Sequence, residues 1–346
     1  MNLALRKDKK IPNLTKFLIL MSIFLVLLIV IFFLSLNFGA ENSVNFNDVI
    51  NGLFNYNDEI FNQTIVRNIR LPRFIADIMV GACLAVAGAV MQGTTKNPMA
   101  DSGIMGISSG STFAIVIIMT FLPNVSRLGR IGISCLGAAV VTFLIYGIAF
   151  IGKRGLSSDR MVLSGMAIST LFTSVTTAIV LKTGQSSEMM KYMAGSSANT
   201  IWLDLNVSGP FFIVGLLISI LISRSLTILS LGDETSKGLG ANTSLIKLLS
   251  TIVVLVLSAI AVVIIGPVGY VGLMVPHIVR YVVGVDYRYV IPSCALVGGT
   301  FVALVDLIAR TVNPGLEFPI GLIITLIGVP FFVFTARRQK EGEFGK

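Results

Sequence analysis

The chain contains one histidine, His277, within GYVGLMVPHIVR (270–281). A lone imidazole cannot build a metal site or a relay with others of its kind, so packing or a hydrogen-bonded turn is its expected role. No hydrolase elbow presents a serine nucleophile beside it. The cysteines Cys83, Cys135 and Cys294 lie far apart in apolar runs without metal-ligand spacing, and read as small buried hydrophobes. Gly88–Thr95 (GAVMQGTT) begins like a phosphate loop, but Thr94 occupies the place where a phosphate-reaching lysine is required. The chain is therefore expected to hydrolyse no ATP, to bind no cofactor directly and to hold no metal.

Two carboxylates fall inside apolar runs, Asp77 and Asp306. A charge within a membrane span costs on the order of 2.5–3.5 kcal/mol on insertion scales, so each needs a reason. Asp306 and Arg310 are spaced i,i+4 and are expected to pair along one helix. A cation-coupled carrier needs ionisable groups near the bilayer midplane. Both aspartates read as lying in the outer third, which leaves the middle of the chain chemically inert and suits weak binding of a cargo. An ion-gradient-driven secondary transporter is the alternative function, and a non-transporting scaffold or membrane enzyme is a third.

The elements that would carry these residues are apolar spans. The 346 residues are 54% hydrophobic and 12% charged, about half the charged share of ordinary globular domains. Phe17–Phe38 is 22 residues without a charge, enough to cross about 30 Å of hydrocarbon. It is too long for a signal-peptide core and lacks small residues at both cleavage positions before Glu41, so it is expected to be a retained first helix. Polar breaks divide the chain into ten spans near 17–38, 72–93, 104–122, 131–152, 161–181, 206–223, 246–265, 268–284, 290–308 and 318–336. The expected fold is an all-α polytopic membrane protein with a single ten-helix domain over 17–336. Basic cytoplasmic tails flank it at 1–16 and 337–346. With N- and C-termini inside, 18 of the 26 Lys and Arg residues face the cytoplasm. The net charge of +9 is thus accounted for by membrane anchoring, without the basic stripe and interleaved aromatics that nucleic acid would require.

Two places depart from this plain pattern. Arg67, Arg70 and Arg73 crowd the outer start of the second span and Arg310 lies at the outer end of the ninth, against the inside bias. Snorkelling toward headgroups explains such residues singly; an acidic protein partner outside would explain the cluster. The connection 224–247 is far longer than a turn between helices requires. It carries Asp233 and Glu234, two helix-like pieces (226–237 and 241–247) and a Gly238-Leu239-Gly240 break. An ordinary long loop and a docking surface for a separate motor both fit that composition.

Five blocks resemble, in order and spacing, the permease subunits of type II ABC importers for iron–siderophore complexes, haem and vitamin B12. They are IRLPRFIADIMVGACLAVAGAVMQG (69–93), KNPMADSGIMGISSG (96–110), LSLGDETSKGLGAN (229–242), GPVGYVGLMVPHIVRYVVGVDYR (266–288) and EFPIGLIITLIGVPFFVF (317–334). The resemblance implies the vitamin B12 importer permease-like fold, and a cell-membrane subunit that carries a metal chelate, with iron–siderophore the commonest cargo. It implies two ATP-binding cassette subunits inside, which use the ATP, a substrate-binding protein outside, and a second permease, identical or homologous. Leu231, Gly232, Asp233, Glu234, Leu239 and Gly240 match the family's coupling element. Arg70, Arg73 and Arg310 match its docking arginines, which pair with glutamates of the binding protein. Asn97 and Met99 on one side, with Ser158 and Asp159 on the other, match its cytoplasmic gate. Ser102 stands where relatives commonly have proline, and Asp159 is an acid at a position that is often a small hydroxyl.

Overall fold

The computed structural model describes residues 13–39, 44–103, 106–150, 158–183, 186–312 and 318–344. Among them every regular element is helical. The order is α1 (Asn13–Asn37), α2 (Phe46–Phe54), α3 (Phe61–Ile65), α4 (Leu71–Thr95), α5 (Ile107–Phe121), α6 (Arg127–Phe150) and α7 (Ser158–Thr183). There follow α8 (Ser186–Met193), α9 (Trp202–Leu229), α10 (Asp233–Gly238), α11 (Thr243–Ile265), α12 (Val271–Val283), α13 (Tyr287–Thr311) and α14 (Ile320–Phe344). A single π-turn, Val66–Arg70, joins α3 to α4. Seven of these segments are long and apolar enough to cross a bilayer, and the shorter α5, α12 and 320–335 of α14 bring the apolar helices to ten.

Contacts between helix ends agree with alternate crossing. Lys96, Asp233 and Lys247, which follow α4, α9 and the first turn of α11, meet on one side. On the other side Arg127 pairs with Asp204, and the Trp202 indole donates to the Arg67 carbonyl at 2.9 Å.

α4 is the hub, with 89% of its apolar window buried, while α1 buries only 6%. Its sequence explains this. It has no polar stripe, and its small residues recur on one face at Gly81, Ala85 and Gly88, so neighbouring backbones approach closely. A Cβ at Gly81 would stand 2.1 Å from the Gly298 carbonyl oxygen on α13, and one at Gly88 would stand 2.0 Å from that of Gly272 on α12.

The expected eighth span, 268–284, is not a full crossing. α12 has 13 residues, about 20 Å of rise, against about 30 Å of hydrocarbon. It starts after a break at Gly266 (φ +82) and Tyr270 (φ +68), deep enough for Gly272 to lie on Gly88. Backbone of this kind survives at membrane depth only when protein encloses it. Here the connection after α8 folds in from the outside: Ser196 N donates to the Ile265 carbonyl at 2.9 Å, and Ile320 N donates to Gly195 O, also at 2.9 Å. From the inside, Asp101 enters so closely that a Cβ on Gly272 would meet its Oδ1 at 2.3 Å. A carboxylate is well placed there, facing the positive end of α12.

The elbow is also built differently from expectation. Residues 226–229 continue α9 and 243–247 open α11, so the only short helix is α10. The glycine break is present: α10 begins after Gly232 (φ +123) and is followed by Gly240 (φ +77), conformations that favour glycine. The third span begins at Ile107, later than expected. Gly106, Ser108 and Gly110 do carry hydrolase-elbow spacing, yet Ser108 lies in the first turn of a helix with no strand among the described residues before it, far in sequence from His277, whose ring packs edge-on to Phe331.

Candidate functional site

The outer arginines are enclosed. Arg70, Arg73 and Arg310 are 4%, 5% and 2% exposed. Arg70 donates to the Leu36 and Asn37 carbonyls at the open end of α1, both at 2.7 Å, where unpaired carbonyls favour a cation. Arg73 reaches from α4 to α13 and places Nε and one terminal nitrogen on Asp306 Oδ1, at 3.0 and 2.7 Å. Arg310 Nε lies 3.3 Å from the other oxygen, and the same guanidinium donates to Ser35. The local Asp306–Arg310 pair is thus present, but the closer partner of Asp306 is Arg73, 233 positions away. Ser197 donates to Asp306 at 3.4 Å. Asp77 completes the cluster, one turn below Arg73 and fully buried beside Asp306 and Ser197, without a well-formed hydrogen bond. Of the outer arginines singled out in the sequence, Arg67 is the exposed one, its guanidinium 4.6 Å from the Tyr56 ring.

The inner elbow separates into two faces. Leu231 and Leu239 are 63% and 64% exposed, and Glu234 and Gly240 are exposed beside them. Asp233 turns back onto its own chain: Oδ1 accepts from Lys96 at 2.9 Å and Oδ2 from Lys247 at 2.9 Å. Hydrogen bonds from Lys96 and Lys247 hold its carboxyl below the usual carboxylate range, so the tie is intact at neutral pH and is lost as pH falls through that lowered value. Ser236, buried, donates to the Ile228 carbonyl at 2.9 Å and seats α10 on the end of α9. Lys96 itself ends α4 in a left-handed turn (φ 56), next to the expected gate residue Asn97, whose Oδ1 accepts from Met99 N at 2.9 Å. The elbow and one half of the expected gate therefore meet through Asp233 and Lys96. On the other half, Ser158 and Asp159 begin α7, and their side chains lie outside the described residues.

Two polar features escaped sequence reasoning. α7 exposes Thr170, Thr173, Ser174 and Thr177, spaced i, i+3, i+4, i+7, a hydroxyl stripe along one face. Its periodicity in STLFTSVTT was the available signal. The second is a shallow recess lined by Met91, Thr94, Thr95, Ile107, Thr142 and Ser250 among others. The hydroxyls of Thr94, Thr95, Thr142 and Ser250 each donate one turn back along their own helices, at 2.7–2.8 Å. Their donors are spent, so the recess offers methyl groups and little grip on a polar cargo.

Residues 27–338 match the model of the FecCD transport family. The chain is 39% identical over 310 residues to the iron(3+)-hydroxamate import system permease protein of Bacillus subtilis (strain 168), covering 90% of this chain and 80% of that one. It is 37% identical over 323 residues to the Fe(3+)-citrate import system permease protein of the same organism, covering 93% and 96%. Among solved structures, an inward-facing metal-chelate type ABC transporter superposes with a TM-score of 0.77 at 29% identity, over 92% of this chain and 99% of that one.

Proposed function

The chain belongs to the FecCD transport family, and from that premise we propose that it forms one half of a pathway importing an iron(3+) chelate of the siderophore class. It is a multi-pass membrane protein and a permease subunit of an ABC importer. Two ATP-binding subunits act on the inner face, a substrate-binding protein delivers the chelate outside, and a second permease completes the pathway. The iron cargo is supported by the two Bacillus relatives, both named for iron(3+) complexes. A second permease fits the open face of α7, where Thr170, Ser174 and Thr177 bond their hydroxyls back along the helix and present small groups that let a neighbouring backbone approach closely.

The observation that carries the ATP-driven reading is the geometry of the elbow. Glu234 projects from α10, and Leu231 and Leu239 from just before and just after it; Ser236 and Asp233 brace this helix, so a push on the apolar tip is transmitted to the inner ends of α4, α9 and α11. Exposed leucines beside a glutamate suit a cleft with an apolar floor. Asp233, by contrast, serves the transmission and not the grip. In the co-expressed complex, Leu231→Asp with Leu239→Asp is expected to abolish co-purification of the ATP-binding subunits and uptake together. Asp233→Asn is expected to retain co-purification and to lose most uptake. Wild-type uptake by the double leucine variant would reject the docking surface.

Docking outside is assigned to the outer ends of α4 and α13. Arg70, Arg73 and Arg310 hold that rim in shape through Asp306 and the end of α1, and a direct pair with a partner carboxylate requires these internal partners to release them.

A further inference from the structure

We propose that α2 is an interfacial helix whose Phe46–Ile50–Phe54 stripe is seated among the acyl chains of the outer leaflet. The inference stands apart from cargo, motor and binding protein. At about 100° per residue, Val49, Leu53, Phe46, Ile50 and Phe54 form one continuous apolar arc, and Asn47, Asn51 and Asp48 fill the opposite side. The protein covers only half of that arc. Val49 is fully buried and Leu53 packs against the cluster of Leu36, Val44, Ile65 and Val66. The other half is left open: Phe46 is 55% and Phe54 79% exposed, with half-buried Ile50 between them.

Lipid is the occupant that this surface fits, because the open half continues a wall that already faces lipid. The Phe46 ring lies 6.0 Å from that of Phe33 on α1, and α1 presents Ile29, Val30 and Leu34 outward along its outer half, with Phe38 exposed just beyond its end. The one charge on α2 is turned to protein: Asp48 accepts from Asn45 N at 3.0 Å and from the Asn62 amide at 2.9 Å. No lysine or arginine lies on the helix, so its seating is apolar and indifferent to anionic headgroups. Trp202, at the outer start of α9, fits the same depth, with an apolar body and its indole N–H committed to Arg67 O.

The chain has a single tryptophan, which makes the test direct. In a Trp202→Phe background, Phe54→Trp is the reporter, Ile50→Trp its second position on the stripe, and Asn51→Trp the control on the polar face. Each is placed in nanodiscs of zwitterionic lipid brominated near the headgroup end of the acyl chains. The stripe reporters are expected to emit at shorter wavelength, to lose most of their emission to the brominated lipid and to be shielded from iodide, with the control behaving oppositely. Exchange for an anionic brominated lipid is expected to leave the loss unchanged. Stripe reporters that iodide reaches and bromine does not quench would overturn the proposal. So would shielding that appears only on addition of a substrate-binding protein, which would assign the stripe to a protein partner, or quenching that requires anionic lipid.

Discussion

Asp306→Asn is expected to destabilise the folded protein by about 3–5 kcal/mol, the cost of breaking a buried ion pair from one side. The carboxylate is fully buried and is shared by Arg73 and Arg310, themselves 5% and 2% exposed. Removing its charge takes from two enclosed guanidiniums the carboxylate that they share, and leaves Asp77 as a buried acid beside that site. Because Arg73 ties α4 to α13 and Arg310 ties α13 to Ser35 of α1, the loss falls on the packing of the central helix. Thermal unfolding in lipid nanodiscs reads it directly, and Arg73→Gln in the same chain is expected to recover part of the loss. If the arginines instead project outward to meet a partner, Asp306→Asn leaves the unfolding temperature unchanged and only affinity for the binding protein moves. The buried geometry therefore makes an outcome that the spacing of the arginines alone does not.

Gly88→Val is expected to prevent assembly of the bundle, so that little folded protein is recovered. The added Cβ would meet the Gly272 carbonyl oxygen at 2.0 Å, and the atoms in the way are backbone of a helix that Gln92 also holds. Overpacking of flexible cores costs about 1–3 kcal/mol, because side chains give way; here two helix backbones must separate, and the enclosed break before α12 separates with them. Gly132→Ala on α6 is the matched control, since its Cβ meets nothing within 4 Å and the folded yield is expected to stay at the wild-type level. Folded yield by size-exclusion profile, measured for both variants side by side, checks the pair of outcomes.

Much of the architecture was legible because membrane spans are written in composition. Runs such as Phe17–Phe38 need only length and absence of charge, and all ten apolar helices fall within the expected spans or overlap them. The burial of α4 was legible too, in glycines and alanines with no polar face. What composition does not encode is depth. Residues 268–270 read as the start of an eighth span and 194–200 as an ordinary break, yet the two stretches of irregular backbone meet within the protein, and apolar residues facing protein look the same as those facing lipid. At the outer rim, i,i+4 spacing revealed Asp306 with Arg310, but no local rule reveals Arg73, whose partner is brought in by the tertiary fold. At the elbow, the glycine break was readable, whereas the boundaries of its helices were not, because α9 and α11 extend into polar sequence that satisfies their ends. The division of the elbow into outward leucines and an inward aspartate needed the positions of Lys96 and Lys247.

The most direct measurement is uptake of a radiolabelled iron(3+)–hydroxamate chelate into vesicles whose proton and sodium gradients have been collapsed. The permease is reconstituted either alone or with its ATP-binding subunits, with the loaded substrate-binding protein added outside. Accumulation is expected only when the ATP-binding subunits and ATP are both present, and is expected to vanish with Leu231→Asp and Leu239→Asp. Accumulation by the permease alone, with no nucleotide-hydrolysing partner in the membrane, would contradict the reading of this chain as a conduit moved from its inner elbow.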